Sequence, residues 1–158
     1  MAGQGRSVPA LSAYELAERF IGVREVPGVA SNPQVLAMLR LDHQWPGGDH
    51  VPWCSAFLNY IAWLLRLPRS KDLRARSWLR VGRALHIDEA RRGFDTVILR
   101  SPGRHEPGPE VIDATGHVGL FAGLESSRVL VLGGNQSDRV SVARYPVSRV
   151  LGVRRLAG

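Results

Sequence analysis

The chain has 158 residues, a hydrophobic fraction of 44% and a formal net charge of +7, a size and balance that suit one compact domain with its own core and exclude a disordered segment. Its single cysteine, Cys54, excludes an intrachain disulfide framework and a cysteine-rich zinc site. Arginine carries nearly all the charge, with Lys71 the one lysine; the clusters Arg74–Arg76, Arg91–Arg92 and Arg154–Arg155 lack interleaved aromatics, so a surface drawn to polyanions is expected but a nucleic-acid partner is not.

Residues 1–11 read as a flexible lead, and 12–158 as a single domain without internal repeats. No apolar leader segment precedes Leu16, so no secretory signal is expected. Ser12 and Glu15 form a capping-box pattern that opens a helix, with Leu16, Phe20 and Ile21 on one face. Gly22 and the stretch Val26, Pro27, Gly28 end it. Asn32 and Pro33 open a second short helix running to about Arg40. A Gly- and Pro-rich loop, Trp45 to Asp49, follows.

The longest apolar helix is expected from Trp53 or Cys54 to Arg66, with Phe57, Leu58, Ile61, Leu64 and Leu65 at helical spacing. It is too short to span a bilayer, and Pro68 stops it. The sequence predicts a further helix over Ala75–Leu85. After Arg92 the period shortens. Phe94–Arg100 reads as a strand, and 101–115 as a long polar loop suited to a rim or lid. Short strands are then expected at His117–Ala122, Arg128–Gly133, Arg139–Arg144 and Val150–Arg154. Helices first and strands afterwards predict an α+β domain, with a mostly antiparallel sheet packed on the buried helix.

Pro52 cannot lie inside a helix, so Cys54 falls in the first turn, where the helix dipole and unpaired N–H groups favour a thiolate. A nucleophile and a buried structural cysteine are both compatible with that position. His117, flanked by Gly116 and Gly119 at a strand start, is the histidine best placed to serve as a base. His43, His50, His86 and His105 show no ligand spacing, so no metal or other cofactor is expected. A third polar group commonly orients such an imidazole. Asn135, after the paired glycines Gly133 and Gly134, is the first choice; Gln136 is the alternative.

These residues carry a resemblance. The stretch from Asp49 through Pro52, Trp53, Cys54, Ser55, Ala56 and Phe57 to Asn59 resembles the PWCSAFVN signature of a family of small NlpC/P60-superfamily proteins, common in phages and bacteria and related to CHAP amidases. Arg76-Ser77-Trp78, Gly116-His117-Val118-Gly119, the LGGNQ run ending at Gln136, and Tyr145-Pro146 through Arg154 resemble the same family in the same order. The resemblance implies a papain-like fold, a cysteine–histidine–polar triad and hydrolysis of amide bonds in bacterial peptidoglycan. Under it Cys54, His117 and Asn135 are the expected catalytic residues. Asp49, Trp53, Arg76 and Gln136 are the expected substrate contacts. A monomer is expected, made in the cytoplasm and acting on the wall after release or delivery, as an endolysin does, with anionic envelope groups as further partners. A catalytically silent wall-binding or phage structural module, and a toxin amidase or deamidase acting on another substrate, are the alternatives.

Overall fold

The computed structural model describes residues 10–26, 31–42, 52–103 and 105–158. Among the described residues three helices precede the main sheet: α1 (Ala13–Glu18), α2 (Pro33–Leu39) and α3 (Cys54–Leu64). The first two begin where side-chain chemistry permits. The Ser12 hydroxyl accepts from the Glu15 N–H at 3.1 Å, and the Asn32 side-chain carbonyl accepts from the Gln34 N–H at 2.8 Å. Pro33 sits at the start of α2, where its missing N–H costs nothing.

Helix α3 is the centre of the core. Trp53, Phe57, Leu58, Ile61 and Ala62 are all buried, and each large side chain so buried contributes about 1.5–3 kcal/mol. The helix ends in a Schellman turn: Arg66 adopts a left-handed φ of 54°, its N–H donates to the Trp63 carbonyl, and the Leu67 N–H donates to that of Ala62 at 2.9 Å. No helix among the described residues is long and apolar enough to cross a membrane.

Six strands form one antiparallel sheet in the order β1-β6-β2-β3-β4-β5. They are β1 (Arg83–Leu85), β2 (Asp95–Arg100), β3 (Gly116–Glu125), β4 (Arg128–Gln136), β5 (Arg139–Pro146) and β6 (Val150–Arg155). Alternation along the strands feeds two cores. Ile98, Val118, Leu120 and Leu132 face the helices, while Val97, Leu99, Phe121, Val129 and Val131 pack on the other side with Tyr145 and Val147. The architecture is α+β, as the sequence predicts.

One element differs from expectation. Residues 75–85 do not form an α-helix: Ala75–Arg80 is a 3-10 helix and Arg83–Leu85 is strand β1. Gly82 lies between them at φ 81°, and a Cβ there would come within 2.5 Å of the Arg155 carbonyl oxygen. Pairing of β1 with β6 and burial of Arg76, Trp78 and Leu79 override the helical pattern.

The basic clusters also do more than face solvent. Arg155 forms a two-pronged pair with the buried Asp95 carboxylate at 2.7 and 2.8 Å, Arg154 donates to the Leu79 carbonyl at 2.9 Å, and Arg92 donates to that of Ala122 at 2.6 Å. Long basic side chains here bind strands and loops together.

Candidate active site

Cys54 is the first residue of α3, and Trp53 before it offers no side-chain cap. The first turn therefore has no side-chain partner at its N-cap for the helix's opening N–H groups. Its position is fixed from several sides. The Trp53 indole is fully buried and donates to Glu25 Oε1 at 2.7 Å. Ser55 donates to the Asp72 carbonyl at 2.6 Å and accepts from the Trp78 indole at 2.9 Å. Asn59 accepts from the Lys71 N–H at 2.9 Å.

The second residue of β3, His117, meets this turn. Its ring and the Cys54 thiol each shift the other's titration. Burial pushes the Cys54 thiol up, but the hydrogen bond and charge of His117, with N–H donation from Val118 and Ser55, reverse this and hold it below the ordinary thiol value. Burial pushes the His117 imidazole down; Cys54, through its hydrogen bond and charge, and then Gln136 outweigh it, against an opposing push from Arg149, and hold it above its ordinary value. The two shifts are opposite in sign and share one cause, as expected of a coupled pair that favours thiolate and imidazolium.

The far side of the ring is held by Gln136. Its Oε1 lies 2.9 Å from His117 Nε2, while its amide nitrogen donates to the Ser141 carbonyl at 2.7 Å and the Val131 carbonyl at 3.2 Å. Those carbonyls can only accept, so Oε1 must face the ring and His117 Nε2 must carry a proton. That leaves Nδ1 for Cys54.

This corrects the expectation for Asn135. Strand pairing shifts register between Gly133 and Gln136, and Asn135 sits at φ 57° inside that irregularity. The left-handed residue turns the chain, so Gln136 and not Asn135 faces the ring. The paired glycines make room. A Cβ on Gly133 would come within 2.8 Å of Gln136 Oε1, and one on Gly134 within 2.8 Å of both Phe57 and Trp53.

Two expected substrate contacts are also corrected. Trp53 is core, for the reason given above. Arg76 is fully buried: it donates to the carbonyls of Thr115, Pro107, Gly108 and Val111 at 2.8, 3.0, 2.8 and 3.2 Å and pairs with Glu106 at 3.6 Å. It clamps the long loop that leads into His117 and cannot reach a ligand. Asp49 lies outside the described residues.

Tyr145 and Arg149 were not singled out from sequence as site residues. The Tyr145 ring packs on His117 with centroids 5.4 Å apart, and the Arg149 guanidinium carbon lies 5.2 Å from the Tyr145 centroid. Burial pushes the Tyr145 hydroxyl up to about 12, with Arg149 opposing and Cys54 adding to the rise. Among the described residues, no group of three or more His, Cys, Asp and Glu side chains is placed to hold a metal ion. The arrangement suits nucleophilic attack by sulfur with proton transfer through His117.

No family model matches the chain, and no curated protein matches it. Solved structures do. NlpC1 of Trichomonas vaginalis superposes with a TM-score of 0.52 at 14% identity, over 91% of this chain and 42% of its own. The peptidoglycan hydrolase RipB of Mycobacterium tuberculosis superposes with a TM-score of 0.53 at 17% identity, over 93% of this chain and 64% of its own. The chain thus spans less than two thirds of either protein. The likeness is one of fold: the α+β arrangement of helices against an antiparallel sheet is shared with both structures.

Proposed function

We propose that this chain is a cysteine hydrolase of amide bonds in bacterial cell-wall peptide, with Cys54 as nucleophile, His117 as base and acid, and Gln136 as the residue that orients His117. The observation that carries the reading is Gln136 Oε1 at 2.9 Å from His117 Nε2, on an imidazole that shifts the titration of the Cys54 thiol at the start of α3 and is shifted by it in the opposite direction. A structural module has no use for a lowered thiol facing a raised imidazole. The cell-wall substrate is supported by the fold shared with the peptidoglycan hydrolase RipB and by the sequence motifs around Cys54 and His117.

In this reading the Cys54 thiolate attacks the carbonyl carbon, forming a C–S bond and a tetrahedral oxyanion. The backbone N–H of Cys54, free at the helix start, donates to that oxygen. The His117 imidazolium then gives its Nδ1 proton to the leaving amine as the C–N bond breaks. Water, deprotonated at Nδ1, attacks the thioester and releases the acid and the Cys54 thiol. Gln136 keeps the proton on Nε2 throughout.

Because Cys54 is the only cysteine, alkylation tests the reading cleanly. One equivalent of iodoacetamide is expected to label Cys54 alone and to abolish release of peptide fragments from purified sacculi. Fragment release by fully alkylated protein refutes the assignment.

A further inference from the structure

Tyr145 and Arg149 form one side of the dyad. Tyr145 comes from the end of β5 and Arg149 from the short 3-10 turn that leads into β6. Arg149 Nε donates to the Arg100 carbonyl at 2.9 Å, and Arg100 in turn donates to the Ser148 carbonyl at 3.3 Å. The turn is thereby fixed, and the guanidinium is held over the Tyr145 ring by cation–π attraction.

No acidic side chain among the described residues pairs with Arg149 or with Arg100. The fold has placed a fixed positive charge one aromatic ring beyond the imidazole it calls on to be cationic. Arg149 opposes protonation of His117, so the arrangement works against the dyad in the free protein. A negative charge brought in by substrate removes that cost. Both Tyr145 and Arg149 are only partly buried, and the guanidinium edge not used on Arg100 offers the fork that binds a carboxylate two-pronged.

We propose that Arg149, backed by Tyr145, is a specificity subsite that binds a free carboxylate of the peptide substrate close to the scissile amide. The separations of 5.4 Å from His117 to Tyr145 and 5.2 Å from Tyr145 to Arg149 bound the reach. An extended peptide advances roughly 3.3–3.6 Å per residue, so the carboxylate lies within about three residues of the bond that breaks. The substrate class is an acidic peptide; its amidated counterpart is disfavoured. Arg76, the arginine that sequence suggested for this task, is enclosed by loop carbonyls and cannot do it. The proposal rests on the hydrolase reading above.

The test uses two muropeptides of one sequence, one with free carboxylates near the scissile amide and one with carboxamides. Wild-type protein is expected to favour the acid by about tenfold or more in kcat/KM, chiefly through KM, the discrimination typical of a hydrogen bond to a charged group. Arg149→Gln is expected to bring the acid-to-amide ratio near one. Arg149→Lys keeps the charge without the fork and is expected to fall between. Cleavage of both peptides by wild-type protein with a ratio near one overturns the subsite and leaves the hydrolase reading standing. Variants that lose activity on both peptides alike, with the ratio retained, also overturn it and make Arg149 structural. Cleavage of neither peptide by wild-type protein refutes the hydrolase reading, and the subsite with it.

Discussion

The Gln136 side-chain oxygen lies 2.9 Å from His117 Nε2, and the same side chain is tied through its nitrogen to Ser141 and Val131. A glutamine held on both ends cannot flip, so the imidazole tautomer is fixed by strand β4 and not by solvent. The contact predicts a clear asymmetry between two adjacent residues. Gln136→Ala is expected to lower kcat by about 10- to 100-fold, the value of a lost hydrogen bond to a group that becomes charged. Asn135→Gly, which keeps the left-handed turn, is expected to stay within about threefold of wild type. Steady-state kinetics on one muropeptide checks both; a larger loss for Asn135→Gly reverses the assignment.

The opposed shifts at Cys54 and His117 predict how each titrates when the other is removed. A thiol held below its ordinary value becomes thiolate at lower pH, so the rate of Cys54 alkylation is expected to rise with an inflection below that of a free thiol. In His117→Ala the inflection is expected above it, because burial, the largest influence, then acts with only the backbone donors against it. Conversely, the His117 ring in Cys54→Ala is expected to titrate lower than in wild type, since burial and Arg149 remain and the thiolate is gone. Alkylation rate against pH and NMR titration of the ring measure the two. An unchanged inflection in either variant contradicts the coupling.

Arg76 predicts a stability effect distinct from chemistry. Arg76→Ala leaves four loop carbonyls and Glu106 without their buried partner, a loss of about 3 kcal/mol or more. For a chain of this size that lowers Tm by about 6–12 °C. Arg76→Lys is expected to recover only part of it, because one ammonium cannot serve carbonyls arranged around a planar fork. Thermal denaturation, with hydrogen exchange over residues 105–115, reads the effect. A Tm within about 1 °C of wild type for Arg76→Ala contradicts the clamp.

Where sequence reasoning succeeded and failed follows from what is local. Pro52 fixes the start of α3 and hence the place of Cys54, and the glycines around His117 mark a strand that something approaches closely. Both are visible within a few residues. The choice of Gln136 over Asn135 depends on a register shift in β4–β5 pairing, which two adjacent polar residues do not announce. Strand β1 was hidden by a helical pattern that pairing with β6 overrides. Arg76 reads as a surface cation until the loop over 105–115 closes on it. Tyr145 and Arg149 follow His117 by 28 and 32 positions, and the pairing of β2 with both β3 and β6, which sets Val150 and His117 on either side of Leu99, brings that stretch to the ring.

The account stands most directly on cleavage by Cys54→Ala. Purified sacculi are digested with wild-type protein and with the variant, the variant's fold is verified by circular dichroism and Tm, and released fragments are analysed by mass spectrometry. Wild-type protein is expected to release peptide fragments with new amine and carboxyl ends, and folded Cys54→Ala to release none above background. Fragment release by folded Cys54→Ala at near wild-type rate contradicts the account.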